Sequence, residues 1–185
     1  MTPCHSPLST PHYPLTTIHY LRPAVFFDRD GVLNVDVNYL YKIEDFCWMP
    51  GAKEAIKYYN DQGYLVFVVT NQSGVARGYY SEADVHNLHK WMQKELAEAG
   101  ARIDAFYHCP HHVQGSVAEY RLDCGCRKPA PGLILQAMEE WPVDKKKSFL
   151  IGDKPSDVEA AQTAGIKGYL FPGGNLYDFV TNINP

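Results

Sequence analysis

Apolar and polar positions along the chain fall into blocks that read alternately as strands and helices. Residues 24–27 are a short apolar run that ends in Asp28, Arg29, Asp30 and Gly31. Residues 64–69 are almost continuously apolar, the pattern of a strand covered on both faces in a parallel sheet, and they deliver Thr70, Asn71, Gln72, Ser73 and Gly74. Shorter runs at 103–107, 148–151 and 168–171 predict three more strands. The segments between them have helical spacing. Ala52, Ala55, Ile56 and Tyr59 share one face after Pro50-Gly51, and Gly63 stops that helix. Ser81 and Asp84 form a capping-box pattern ahead of Val85, Leu88, Met92 and Leu96. Pro129 and Pro131 open a helix with Ile134, Ala137, Met138 and Trp141 on its apolar face, and a fourth carries Val158, Ala161 and Ala164 to Gly165. Strands alternating with helices predict an α/β fold, a Rossmann-like parallel sheet sandwiched by helices, with ligands bound beyond the carboxyl ends of the strands. The chain ends soon after the fifth predicted strand, and no element is assigned there.

Three stretches lack a period. Residues 1–23 hold Pro3, Pro7, Pro11 and Pro14 among Ser, Thr and His, so a loosely ordered arm is expected, followed by one domain over 24–185. Cys4 and His5, adjacent in that arm, are given no role. Residues 34–49 read as a loop over the mouth of the site, and 108–128 as a long irregular loop. The formal charge of -4, with no long Lys/Arg run, speaks against nucleic-acid or membrane-surface partners. The first 23 residues lack the basic start and apolar core of a secretory signal, and no run of about 18 apolar residues occurs. A soluble cytoplasmic protein is expected.

The acidic strand end carries the chemistry. Burying unpaired carboxylates is costly, so two placed at a strand's exit suggest a cation and a reaction; the bland alternative is a strand followed by an acidic turn. Asp153 and Lys154 close the fourth strand, and Lys128 stands at the start of a helix. Carboxylates from two strands can share Mg²⁺ with a phosphate, while hydroxyl, amide and ammonium groups complete a phosphate cradle. Lys128 and Asp153 paired as plain structural ions is the competing account. A second constellation, Cys109, His111, Cys124 and Cys126, suits a closed tetrahedral zinc site that clips the 108–128 loop. His108 and His112 compete as ligands, and a disulfide between Cys124 and Cys126 is disfavoured by strain and by a reducing compartment. Cys47, beside Phe46 and Trp48, is expected to be a packed thiol.

The motifs Asp28-Arg29-Asp30-Gly31-Val32, Thr70, Lys128 and Gly152-Asp153-Lys154-Pro155-Ser156-Asp157 resemble, in order and placement, those of the haloacid dehalogenase superfamily of phosphotransferases. The resemblance implies that Asp28 attacks phosphorus to give a phosphoaspartyl intermediate and that Asp30 protonates the leaving alkoxide and then activates water. Asp28, Asp153 and the Asp30 carbonyl would hold Mg²⁺. Thr70 and Lys128 would bind the phosphoryl oxygens, with Asp157 orienting Lys128. Asp30 is expected to be protonated at the start, pushed that way by its carboxylate neighbours. With Thr70-Asn71-Gln72-Ser73-Gly74, Cys109-Pro110-His111-His112 and Cys124-Gly125-Cys126-Arg127-Lys128-Pro129 added, the chain is similar to the D-glycero-D-manno-heptose-1,7-bisphosphate 7-phosphatases. Those enzymes act as monomers and make precursors of the lipopolysaccharide inner core or of nucleotide-activated heptoses. By position, Asp36, Val37, Asn38, Tyr39, Asn71, Gln72, Ser73, Arg127 and Lys154 would contact the sugar phosphate. Histidinol-phosphate phosphatase is the nearest rival reading, and a zinc-dependent binding module the remote one. With so much of the chain used by the core, no large cap domain is expected.

Overall fold

The computed structural model describes residues 20–183, and all but the last few positions of the expected arm lie outside them. Five strands form one parallel sheet in the order β3-β2-β1-β4-β5. They are β1 (Ala24–Phe27), β2 (Leu65–Asn71), β3 (Ala105–Cys109), β4 (Phe149–Gly152) and β5 (Lys167–Leu170). Between them run α1 (Ala52–Asp61), α2 (Glu82–Glu98), α3 (Gly132–Glu140) and α4 (Pro155–Ala164), and α5 (Leu176–Asn182) follows β5.

Alternation along the strands divides the core in two. Val25 and Phe27 of β1 with Val66 and Val68 of β2 face α1, α2 and α5, while Ala24, Phe26, Leu65, Phe67 and Val69 face α3 and α4. Both faces are covered, which is why β1 and the first six residues of β2 are buried throughout. The buried face of α1 is Ala52, Ala55, Ile56 and Tyr59, as its spacing predicts. In α2 the Ser81 and Asp84 capping box forms in both directions.

One predicted strand is displaced, and one helix has no predicted counterpart. The third strand begins two residues later than predicted, because the Asp104 carboxylate accepts from the Val66 amide and ends the approach to the sheet there. The C-terminal segment forms α5, with the Asn175 side chain accepting from the amides of Tyr177 and Asp178 and with Leu176 and Val180 buried against the α1 side of the core. No helix among the described residues is long and apolar enough to cross a membrane.

Candidate active site

Parallel strands leave their carboxyl ends on one side, and here the ends of β1, β2 and β4 open on a crevice of about 290 Å³. Its buried lining includes Asp28, Thr70, Gln72, Lys128 and Asp157; its more exposed lining includes Asp36, Asn38, Tyr39, Arg127 and Lys154.

Lys128 is buried at the centre. Its ammonium has three hydrogens to give, and it donates to the Val69 carbonyl at 2.8 Å, Asp157 Oδ1 at 2.7 Å and Asp28 Oδ1 at 2.9 Å. Burial alone would lower its proton affinity, but Asp28 and Asp157 outweigh that and hold it above the usual lysine value. Burial pushes the Asp28 carboxyl up to about 7, against the pull of Lys128 and with help from Asp157. The second Asp157 oxygen accepts from the Lys154 amide at 2.9 Å, which caps α4 and fixes the carboxylate that orients Lys128. Lys128 therefore pairs with Asp28 and Asp157, and its partner is not Asp153, which settles against the plain Lys128 and Asp153 pair.

Asp30 behaves differently from its neighbour. It accepts from Arg29 Nη2 at 2.9 Å and 3.0 Å, from Asn34 Nδ2 at 3.0 Å and from Gln72 Nε2 at 2.8 Å. Burial works against ionisation, yet Arg29 and these donors prevail and hold the carboxyl below the usual range. The expectation that carboxylate neighbours keep Asp30 protonated is thus corrected: a buried guanidinium, not a second acid, dominates its surroundings. Arg29 is fully buried and also donates to the Leu40 carbonyl at 2.9 Å and approaches His89 Nε2 at 3.4 Å. Arginine can only donate, so His89 Nε2 is the acceptor. Burial, then Arg29, pushes His89 well below the usual histidine value and keeps it neutral. Arg29, His89 and Tyr80 were not singled out by the sequence. The only signal for Arg29 is its place between two functional aspartates.

The other expected contacts divide between ligand-facing and supporting positions. Asn71 donates to the Lys128 carbonyl and accepts from the Lys128 amide, both at 3.0 Å, so it locks the end of β2 to the residue that carries the ammonium. Gln72 donates to Asp30 and Thr70 and accepts from the Tyr80 hydroxyl at 2.7 Å, which commits its amide to holding the site. Ser73, Arg127 and Lys154 line the crevice, and Lys154 reaches Asp36 Oδ2 at 3.3 Å. Val37 does not line it and is exposed. Asn38 and Tyr39 both have positive φ, 59° and 55°, an uncommon pair of left-handed non-glycine residues at the mouth.

The carboxylates suit a hard cation. Asp28, Asp153 and Asp157 each place an oxygen within 4.8 Å of the others, and Asp153 Oδ1 is buried without a hydrogen bond. Like charges gathered around an unsatisfied oxygen fit Mg²⁺. Gly31, at φ +87°, makes room: a Cβ there would strike the Asp153 carboxylate. Asp157 already holds Lys128 and the Lys154 amide, which leaves Asp28 and Asp153 as the side-chain ligands.

Cys109, His111, Cys124 and Cys126 also come together. Cys126 Sγ lies 3.2 Å from Cys109 Sγ, 3.3 Å from Cys124 Sγ and 3.5 Å from His111 Nδ1. The Cys109 and Cys124 sulfurs are 3.5 Å apart. Zinc with about 2.3 Å bonds to sulfur needs tetrahedron edges of about 3.8 Å, so small adjustments would accommodate it. His108 and His112 stand outside this set: His108 faces α2, and His112 Nδ1 accepts from the Gln114 amide. Cys47 is exposed, contrary to expectation, while its neighbours Phe46 and Trp48 pack on each other and on the core.

The HAD-hydrolase-like family profile matches residues 125–177. D-glycero-beta-D-manno-heptose-1,7-bisphosphate 7-phosphatase of Rhodopseudomonas palustris is 53% identical over 88% of this chain and 90% of its own. D-glycero-alpha-D-manno-heptose-1,7-bisphosphate 7-phosphatase of Photorhabdus laumondii is 48% identical over 77% and 78%. The crystal structure of D,D-heptose 1,7-bisphosphate phosphatase from B. bronchiseptica, complexed with magnesium and phosphate, superposes with a TM-score of 0.73 at 31% identity over 88% of this chain and 87% of that one. Likeness at this level across nearly the whole length means that the chain belongs to the heptose-1,7-bisphosphate 7-phosphatase family of haloacid dehalogenase-like hydrolases.

Proposed function

We propose that this chain removes the C7 phosphate of D-glycero-D-manno-heptose 1,7-bisphosphate through a phosphoaspartyl intermediate on Asp28. The observation that carries the reading is Asp28 at the exit of β1, fixed 2.9 Å from the Lys128 ammonium, with Asp30 one residue on but bound to separate donors. In the first half-reaction an Asp28 oxygen attacks phosphorus, the bond from phosphorus to the C7 oxygen breaks, and Asp30 gives that oxygen a proton. Lys128 and Thr70 hold the equatorial oxygens, where charge spreads in the transition state. In the second half Asp30 takes a proton from water, the water oxygen attacks phosphorus, and the phosphoaspartyl bond breaks to release inorganic phosphate and restore Asp28. The free site holds Asp30 ionised, ready for this second role. For the first it gains its proton when the negative phosphate group enters beside it and raises its proton affinity.

The side chains of Asp28 and Asp153, with the Asp30 carbonyl, would hold Mg²⁺, which neutralises charge on the phosphate as it transfers. Zinc at Cys109, His111, Cys124 and Cys126 would be structural, closing the loop that ends in Arg127 and Lys128. We place the protein in the cytoplasm, as a monomer that meets neither nucleic acid nor membrane. The thiolates of a zinc set call for a reducing compartment, and the acidic chain offers no polyanion surface.

Recognition falls to the loops. Arg127, a permanently charged bidentate donor in the crevice lining, can take the phosphate at the far end of the sugar, with Lys154, Asp36, Asn38 and Tyr39 around the ring. The test compares kcat/KM for both heptose 1,7-bisphosphate anomers, histidinol phosphate and simple monophosphates. The bisphosphates should lead and lose the C7 phosphate, and Arg127→Ala should shrink that lead more than it slows a minimal aryl phosphate. Release of the 1-phosphate, or faster turnover of histidinol phosphate, would overturn the reading.

A further inference from the structure

Beside the zinc ligands, on the opposite side of β3, lies a second cluster that neither proposed metal uses. Neighbouring strand residues point to opposite faces, so β3 sends Tyr107 and Cys109 toward α3 and presents Phe106 and His108 to α2. Glu82 and His86, one turn apart in α2, meet His108 there, and one ligand atom from each of the three lies within 4.8 Å of the others. The imidazoles of His86 and His108 stand edge to face, with ring centres 5.1 Å apart. His108 Nε2 is buried, makes no hydrogen bond, and sits 3.8 Å from Glu82 Oε2. That separation is too long for a hydrogen bond. It is short enough for one ion to touch both atoms at the roughly 2.0–2.2 Å that zinc prefers to nitrogen and carboxylate oxygen.

We propose that Glu82, His86 and His108 form a second transition-metal site, distinct from the four-ligand cysteine set and from the carboxylate crevice. The donor types choose the ion. Two imidazoles and one carboxylate suit zinc and its neighbours in the first transition row and not magnesium or calcium, which take oxygen. Three protein ligands leave a position for water. The Tyr120 ring, from the 108–128 loop, packs beside the start of α2 on the cluster that holds Tyr80 and Val85. A bound ion would join the start of α2 to the end of β3, where the strand runs into Cys109 and the zinc loop. Glu82 lies two residues along the chain from Tyr80, whose hydroxyl holds Gln72 against Asp30.

The experiment uses untagged full-length protein carrying its structural zinc, with Mg²⁺ present in excess, titrated with Zn²⁺ by calorimetry and checked by elemental analysis after gel filtration. One further equivalent should bind to the wild-type protein. Its affinity should fall at least tenfold in His86→Gln, a half-buried helix position that keeps the fold by circular dichroism, and likewise in His108→Gln. With Co²⁺ as the probe, the added equivalent should give visible bands without the strong near-ultraviolet absorption of thiolate ligands. Absence of the extra equivalent in the wild type, its undiminished binding to His86→Gln, or thiolate absorption from the added Co²⁺ would overturn the proposal.

Discussion

Arg29→Lys keeps the charge between the two aspartates and removes the fork. In the wild type Arg29 is fully buried, donates to both oxygens of Asp30 at 2.9–3.0 Å and to the Leu40 carbonyl at 2.9 Å, and approaches His89 at 3.4 Å. A lysine ammonium is a point donor on a flexible stem and cannot serve Asp30 and Leu40 in the same geometry. At least two charged hydrogen bonds are lost, each worth about 1.5–3 kcal/mol, so the substitution should cost about 3 kcal/mol or more. For a chain of this size that lowers Tm by about 6–12 °C. The loss is local as well. Leu40 belongs to the loop that carries Asp36, Asn38 and Tyr39, so limited proteolysis should cut within 34–49 sooner and KM should rise. Thermal melts followed by circular dichroism read the first effect and a protease time course the second. A melting point within about 2 °C of wild type, with the loop equally resistant, would refute the argument that Arg29 ties the mouth loop to the catalytic carboxylate.

Three further outcomes follow from other parts of the site. Asp28→Asn preserves size and an acceptor for Lys128 but not the nucleophile, so Mg²⁺-dependent turnover should fall by several orders of magnitude with the fold retained; near-normal turnover would remove Asp28 from that role. Cys124→Ser should lower Tm and raise KM more than it lowers kcat. The loss should stay below the roughly 10 kcal/mol that zinc supplies to isolated peptides, because most of the buried core lies outside the loop; elemental analysis showing no zinc in freshly purified, reduced wild-type protein would count against the site. His89 is held neutral by burial and Arg29, whereas in the unfolded chain it takes up a proton below about pH 6.5. The unfolded state therefore binds more protons as pH falls from there toward the depressed folded value, and stability declines by up to about 1.4 kcal/mol per pH unit from this residue. His89→Gln should lessen the drop in Tm between pH 7.5 and 5.5, and an unchanged drop would show that His89 does not bind protons differently in the two states.

How much of this was legible depended on whether a residue's role is local. The buried face of α1 and the strand over 64–69 could be read because periodicity records which side is covered. The meeting of Asp28, Thr70, Lys128 and Asp153 could be anticipated because parallel strands must end together. By contrast α5 has two buried residues, Leu176 and Val180, too few to show a period. The burial of Arg29 is invisible in sequence, since an arginine is ordinarily exposed and only the folded loop brings Leu40 and His89 to it. The donors that favour ionised Asp30 are hidden for the same reason: its sequence neighbours include acids, while Gln72 and Asn34 are brought to it by the fold.

The two phosphate-handling cations next to the zinc loop are held by different means, and that separates chemistry from specificity. Lys128 follows Cys126 by two residues, but its position does not depend on the cysteines alone: Asn71 fixes its backbone with two hydrogen bonds, and Val69, Asp28 and Asp157 fix its ammonium. Among the described residues the Arg127 side chain makes one hydrogen bond, a 3.4 Å contact from Nη1 to the carbonyl of His111, itself one of the four metal-binding candidates. Opening the cysteine set would therefore disturb Arg127 first, while the sheet continues to hold Lys128 against Asp28. Loss of zinc should erode preference for a bisphosphate before it erodes hydrolysis of a simple phosphate ester, and this is why the Cys124→Ser defect is expected in KM ahead of kcat.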